Sequence, residues 1–249
     1  MPQVDFRSPR LFTDSPLAAG GTVPLDRNQS NYLGNVLRLG AGDGVLVFNG
    51  RDGEWRAQLA GRKRPDHLIV EAQTRPQDRL PDLTYVFAPL KHARLDYMAQ
   101  KAVEMGAARL QPVVTRFTQA SRVNVERMRA NAIEAAEQCG ILSLAEVAEP
   151  VALARYLEQR AASRLLIFCD ENAEVADPVA ALGQRRPAVG GVDLLIGPEG
   201  GFAEEERVLL LRQPDVLTLA LGPRILRADT AAVAALALVQ AVLGDWATS

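Results

Sequence analysis

Val192-Asp-Leu-Leu-Ile-Gly-Pro-Glu-Gly-Gly-Phe202 and the later Leu219-Ala-Leu-Gly-Pro-Arg-Ile-Leu-Arg-Ala-Asp-Thr230 decide the fold of this chain. Each begins as a buried-strand run and ends in a Gly-Pro loop that feeds a helix pattern. In an open α/β sheet, ligands sit beyond the carboxyl ends of strands, where such loops meet. Two such loops side by side predict a pocket built mostly from backbone.

Upstream, the same rhythm repeats. Leu83-Thr-Tyr-Val-Phe-Ala88, Arg109-Leu-Gln-Pro-Val-Val-Thr115 and Arg164-Leu-Leu-Ile-Phe168 are strand runs. Leu95 to Met105 and Val125 to Cys139 are helix patterns, stopped by Gly106 and Gly140. Alternating strands and helices predict an α/β fold with a mostly parallel sheet covered on both faces. The last helix, Thr230 to Leu243, is apolar nearly all round and Ala-rich, so it is expected to be buried on several sides, partly in a dimer interface.

The N-terminal part reads differently. Val45-Leu-Val-Phe48, Glu54-Trp-Arg-Ala-Gln-Leu59 and Leu68-Ile-Val-Glu-Ala72 are short strands, the first two joined by the turn Asn49-Gly-Arg-Asp-Gly53. Asp26 can cap a short helix over Asn28 to Leu37. Residues 1–74 are therefore expected to form a small β-barrel-like domain. Arg75-Pro-Gln-Asp-Arg-Leu-Pro81 reads as a linker, and 82–249 as the second domain.

The bulk numbers narrow the class. With 249 residues, 48% of them hydrophobic, the chain has a sizeable core. A net charge of −2 does not mark a nucleic-acid binder on average, although Arg outnumbers Lys and is unevenly placed. Cys139 and Cys169 lie far apart without metal spacing and are expected to be buried, reduced thiols in a cytoplasmic protein that binds no metal. The N-terminus lacks the apolar core of a signal peptide, and no apolar run reaches the roughly 18 residues a membrane span needs.

The loops are poor phosphate sites. No Lys-Ser/Thr pair follows Gly197-Pro-Glu-Gly-Gly201, and no G-x-G-x-x-G fingerprint is present. Glu204-Glu-Glu206 occupy the first turn of the next helix, where they complement its dipole and would repel a phosphate. A ligand without phosphate that carries positive charge suits the site, and S-adenosylmethionine fits. Arg224 and Arg227 flank the apolar pair Ile225-Leu226, which could touch a flat base such as adenine, and Asp229 or Thr230 can cap the final helix.

These paired loops resemble the signatures of SPOUT RNA methyltransferases, and most closely those of the 16S ribosomal RNA uridine N3-methyltransferases, I-G-P-E-G-G-[FL] and L-G-x-R-I-L-R-x-[ED]-T-A. Arg7-Ser-Pro-Arg-Leu-Phe12, Tyr32-Leu-Gly-Asn-Val-Leu-Arg-Leu39, Lys101-Ala-Val-Glu-Met-Gly106, Pro112-Val-Val-Thr-Arg116 and Ala135-Ala-Glu-Gln-Cys-Gly140 are similar to further blocks of that family. The resemblance implies a PUA-like N-terminal domain, a C-terminal domain with a trefoil knot, and a homodimer acting on 16S rRNA or the small ribosomal subunit. Three places depart from the pattern. Asn35 and Ile141 stand where basic residues are usual, and Ala228-Asp229 replaces Thr-Glu.

On this basis the cofactor is expected at Ile196, Gly197, Pro198, Glu199, Gly200, Gly201, Leu219, Ala220, Leu221, Gly222, Ile225, Leu226 and Thr230. Arg227 is the candidate catalytic residue, with Arg224 behind it, because an Arg beside the base would stabilise charge on a deprotonated uridine. Arg7, Arg10, Arg38, Lys91, Arg94, Arg116 and Arg122 are the candidates for RNA phosphates. His92 follows the first strand of the sheet, but nothing marks it as a general base. An RNA-binding assembly factor of the same fold, or a nucleotide-binding oxidoreductase, are the alternatives. The intact loops argue against the first and the missing phosphate fingerprints against the second.

Overall fold

The computed structural model describes residues 5–62, 64–91, 93–120, 122–170, 173, 177–185 and 190–248. These divide into two compact units. One comprises Met1–Arg79 with Ala136–Leu144, the other Leu80–Ala135 with Ala145–Ser249.

The first unit holds five strands, β1 (Arg10–Phe12), β2 (Thr22–Pro24), β3 (Gly44–Phe48), β4 (Glu54–Ala60) and β5 (His67–Arg75), in the spatial order β1-β3-β4-β5-β2. β1 runs parallel to β3; the other pairings are antiparallel. Period-two alternation points Ala57 and Leu59 of β4 inward and leaves Arg56 and Gln58 in water. Val45, Val47, Leu68 and Val70 join them in one core. Helix α1 (Arg27–Asn31) starts as expected. Asp26 accepts from the Gln29 N–H at 2.8 Å, and Gln29 Oε1 accepts from the Asp26 N–H at 3.0 Å. It runs on through a π-helical turn, Tyr32–Val36, which drops Leu33 fully into that core.

Arg75 does not behave as linker. It ends β5, and its guanidinium donates to Glu54 and to the Gly140 carbonyl. Asp78 accepts from the Leu142 N–H and the Ser143 hydroxyl, which ties the chain after β5 to the 136–144 segment.

In the second unit the strands are β6 (Leu83–Phe87), β7 (Arg109–Val114), β8 (Glu146–Val147), β9 (Val151–Ala152), β10 (Leu165–Cys169), β11 (Val192–Ile196) and β12 (Val216–Leu219). They lie in the order β12-β10-β11-β6-β7-β8, with β9 also on β7, and every pairing is parallel. β6 and β11 are buried along their whole length, which is why they read as mostly apolar runs, broken only by Thr84 and Asp193.

Helices α4 (Leu153–Gln159) and α6 (Glu204–Leu211) supply Leu153, Leu157 and Leu210 to one face, against Val86, Leu166, Phe168 and Leu195. The remaining helices are α2 (Ala93–Glu104), α3 (Val125–Cys139), α5 (Pro178–Gly183) and α7 (Ala228–Val242). α7 packs on α2, α5 and β11. Its buried stripe is Ala228, Ala231, Ala232, Ala235, Leu236, Val239 and Gln240. Val233, Ala234, Ala237 and Leu238 on the other side stay half-exposed.

Two expectations fail here. α7 begins at Ala228, because Arg227 takes the extended N-cap conformation, and neither Asp229 nor Thr230 caps it. Asp229 instead accepts from the Thr230 N–H, at 2.9 Å. Cys139 is exposed, since the last turn of α3 turns it outward, while Cys169 is half-buried; neither forms a disulfide.

One buried charge was not anticipated. Asp193, inside the apolar β11 run, is paired with Arg160 and Arg164 at 3.2 and 2.7 Å. A carboxylate in the centre of a parallel sheet is tolerable only with such partners.

Candidate functional site

A cleft of about 340 Å³ opens at the carboxyl ends of β10, β11 and β12, within the size range of small-molecule sites. β10 lies between β11 and β12, so the two Gly-Pro loops are not strand neighbours as the sequence suggested. They face each other across the end of β10, which contributes Cys169 and Asp170 to the lining.

The first loop, Gly197 to Phe202, is held from below. A Cβ on Gly197 would lie 2.9 Å from the Phe202 ring, which itself packs edge-on against Phe168. Gly201 sits at φ +69, a conformation that favours glycine. The acidic turn behaves as read. Glu206 accepts from the Ala203 N–H at 3.0 Å and from the Arg116 N–H at 2.8 Å. Glu199 is paired with Arg94 at 3.1 Å, and Arg94 also approaches Asp229 at 4.0 Å, so one guanidinium joins the first loop to the start of α7.

The second loop turns at Gly222 (φ +94) and presents Leu219, Leu221 and Leu226 to the cleft; Ile225 is 86% exposed at its rim. Burial pushes the Cys169 thiol up to about 12, so it faces the cleft as a neutral, unreactive group. A family model for an RNA methyltransferase domain matches residues 77–240, and one for an RNA methyltransferase PUA domain matches 25–71.

The chain belongs to the RNA methyltransferase family.

Among relatives of this methyltransferase, the ribosomal RNA small subunit methyltransferase E of Rickettsia conorii is 30% identical over 234 residues, covering 93% of this chain and 94% of the relative. That of Synechocystis is 32% identical over 225 residues, covering 89% and 74%. A structure of the Neisseria gonorrhoeae ribosomal RNA small subunit methyltransferase E bound to S-adenosyl methionine superposes with a TM-score of 0.85 at 27% identity, covering 96% of this chain and 100% of the other.

The methyltransferase cleft gathers most of the residues named from sequence. Ile196, Gly197, Pro198, Glu199, Gly200, Gly201, Leu219, Ala220, Leu221, Gly222, Ile225 and Leu226 line it; Thr230 does not. Thr230 lies on the exposed side of α7, while Ala228 and Ala231 on its buried side line the cleft. Arg224 lines the cleft, whereas Arg227 stands at its rim between Leu226 and Ala228, which do. Both Arg side chains are exposed and have no ion-pair partner among the described residues. Asp170, Phe202, Arg207 and Ala231 line it without having been singled out. The rule that sites lie beyond strand ends applies equally to β10, and would have found Asp170.

Of the RNA candidates, Arg7, Arg38, Lys91, Arg116 and Arg122 are exposed. Lys91 and Arg116 follow β6 and β7 at the same end of the sheet as the cleft. Arg10 is a correction. Its side chain is 3% exposed, and its guanidinium donates to Glu54 at 2.7 Å, to the Glu137 carbonyl and to the Asp5 carbonyl. It is an internal brace with no surface for a phosphate. Arg94 is half-committed to Glu199 and Asp229. His92 lies outside the described residues.

Proposed function

We propose that this enzyme methylates N3 of a uridine in small-subunit (16S) ribosomal RNA, using S-adenosylmethionine held by both Gly-Pro loops. The observation that carries the reading is the cleft itself. It is lined by the Gly-rich first loop and by Leu219, Leu221 and Leu226 of the second, and flanked by a helix whose first turn is already filled by three glutamates. Such a site fits an adenosine with a cationic sulfonium and disfavours a phosphate. Two relatives carry the name of a small-subunit ribosomal RNA methyltransferase over nearly the whole chain, and a similar structure is bound to this cofactor.

Bound there, S-adenosylmethionine supplies an electrophilic methyl group for in-line transfer. The chain contributes position first: two loops fixed on strand ends hold the donor so that little freedom is lost at the moment of reaction. Arg227, exposed at the rim and without an ion-pair partner among the described residues, is the group that would stabilise the negative charge developing on the uracil oxygens as the N3 proton passes to solvent; Arg224 is the second candidate. The target edge is hidden in a duplex, so the base must be unpaired or flipped out to reach the cleft. Lys91, Arg116 and Arg122 would hold phosphates on the unit that carries the cleft, and Arg7 and Arg38 would hold RNA phosphates on the first unit. We place the enzyme in the cytoplasm, with its RNA; among the described residues no helix is long and apolar enough to cross a membrane.

Gly200→Val tests the pocket. A Cβ there would already meet the Phe117 Cβ at 3.3 Å, so the branched side chain must displace the loop. Calorimetry should show cofactor affinity lowered about tenfold or more, roughly 1.4 kcal/mol; an unchanged affinity would remove this loop from the site.

The trefoil knot and the homodimer belong to the same reading. The half-exposed apolar side of α7, with Val233, Ala237 and Leu238, together with exposed Trp246 at the chain end, suits a two-fold interface. Light scattering at micromolar concentration should return twice 26.9 kDa; a clean monomer would contradict the dimer.

A further inference from the structure

A phenyl ring stands half in water just past β7. The chain leaves that strand at Val114 and turns at once. The Thr115 N–H donates to the Thr118 hydroxyl at 2.8 Å, the two hydroxyls lie 2.9 Å apart, and the Thr118 N–H returns to the Thr115 carbonyl at 3.2 Å. The Arg116 N–H fixes the same turn to Glu206 of α6. Phe117 belongs to this turn and is 44% exposed. Hydrogen bonds rather than burial of the ring hold the turn, so the exposed ring surface is free to pack on a ligand.

Two neighbours give that surface a use. One is the first Gly-Pro loop: a Cβ built on Gly200 would lie 3.3 Å from Phe117 Cβ and 3.7 Å from its Cγ. The other is a second cavity of about 340 Å³ at the carboxyl ends of β6 and β7. It is lined by Leu90, Lys91, Ala93, Arg94, Gln119 and Glu199. Among the described residues, Glu199 alone lines both this cavity and the cleft at the ends of β10, β11 and β12. Gln119 is two residues beyond Phe117, so the turn leads into the cavity. Arg94 comes within 4.0 Å of Asp229, two residues from Arg227.

The volume is enough for one nucleoside. Leu90 and Ala93 give apolar surface, the Gln119 amide can donate or accept, and Lys91 is an exposed cation without an ion-pair partner among the described residues. An aromatic ring, an amide and a cation side by side match an unstacked RNA base. Such bases are stacked on aromatic side chains and hydrogen-bonded along their edges.

We propose that Phe117 is the stacking platform for the target uracil, which leaves the RNA stack and enters this second cavity, where the Gln119 amide donates to a uracil carbonyl. This rests on the reading of the protein as a uridine N3-methyltransferase. N3 lies between the two carbonyls, so a hydrogen bond to one of them fixes the rotation of the ring without covering N3. Base and cofactor would then meet at Glu199.

Methylation kinetics on small-subunit ribosomal RNA test the platform. Phe117→Ala should lower kcat/KM for RNA roughly ten- to hundredfold, the range of one lost base–aromatic stack. Calorimetry should show its cofactor affinity unchanged. Phe117→Tyr, which keeps the ring, should stay close to wild type, whereas Phe117→Leu, apolar without a π face, should be as poor as Phe117→Ala. The salt dependence of RNA binding should be the same in all three, because no phosphate contact is lost. Gln119→Leu should also lower kcat/KM with cofactor affinity intact. Full activity in Phe117→Leu overturns the proposal. So does a fall in cofactor affinity in Phe117→Ala that matches the fall in activity, since packing against Gly200 alone would give that. Methyl transfer to N3 that is indifferent to Phe117 overturns the stacking role and leaves the function standing. If the wild-type enzyme transfers no methyl group to uridine N3, the function reading fails, and this inference falls with it.

Discussion

Arg227→Ala is expected to lower kcat by about 10²–10³-fold, the usual cost of removing one donor that stabilises developing charge. The residue stands at the N-cap of α7 with extended backbone, between two residues that line the cleft, and its side chain is exposed without an ion-pair partner among the described residues. A guanidinium in that position loses no ion pair or side-chain hydrogen bond among the described residues when truncated, so the variant should fold with unchanged melting temperature. RNA affinity and cofactor affinity should move little, because an interaction made in the transition state leaves ground-state binding alone. Single-turnover kinetics at saturating RNA and cofactor separate these quantities. Normal turnover in the variant would pass the role to Arg224 or leave positioning to carry the reaction.

Glu54→Ala should destabilise the first unit by about 3–5 kcal/mol, because it leaves two cations buried without their counterion. Glu54 is 2% exposed and receives Arg10 at 2.7 Å and Arg75 at 2.8 Å, with the Thr74 hydroxyl as a third donor. Arg10 and Arg75 reach on to the carbonyls of Glu137 and Gly140, so the carboxylate anchors the 136–144 segment of the same unit. Burial alone would raise its pKa, but the hydrogen bonds from Arg75, Arg10 and Thr74 outweigh that and hold the carboxyl below its ordinary value. A lowered folded pKa contributes stability above the unfolded value, about 4.3, and loses it as pH falls through the folded one. Melting curves of the wild type and Glu54→Gln should therefore converge as pH drops below about 4. A gap that stays constant down to pH 3 would mean that the carboxylate charge contributes nothing. Arg10→Ala should likewise act on stability, with no direct effect on phosphate contacts.

The contrast between Arg10 and Arg38 shows what the sequence could not convey. Both belong to the small domain, Arg10 in Arg7-Ser-Pro-Arg-Leu-Phe12 and Arg38 after Val36-Leu37, and both read as surface cations. Arg38 is exposed, at φ 58 just past the π-helical turn. Arg10 lies in a three-residue strand too short to show a period, and besides the nearby Asp5 carbonyl its partners are 44 and 127 residues away. Long-range ion pairs leave no local pattern. The same holds for Asp193, which interrupts an otherwise apolar strand and is explained only by Arg160 and Arg164.

Local chemistry was legible where it acts locally. The capping box at Asp26, the stops at Gly106 and Gly140 and the acidic turn at Glu204–Glu206 all follow from neighbours a few residues apart. The two Gly-Pro loops likewise gave twelve cleft residues directly. Asp170, just past the end of β10, was open to the same rule and was overlooked, whereas the place of Arg207 at the cleft depends on β10 lying between β11 and β12, a matter of strand order. The start of α7 was misjudged because Asp229 and Thr230 are good capping types, yet Arg227 takes the cap position without any side-chain bond.

The central claim is that this cleft transfers a methyl group to N3 of uridine. The most direct measurement incubates the enzyme with unmodified small-subunit ribosomal RNA and methyl-labelled S-adenosylmethionine, then digests the RNA to nucleosides. The account predicts label in 3-methyluridine, lost in Arg227→Ala and strongly reduced in Gly200→Val at limiting cofactor. Tight cofactor and RNA binding without any transfer, or label appearing on a ribose oxygen or another base, would contradict it.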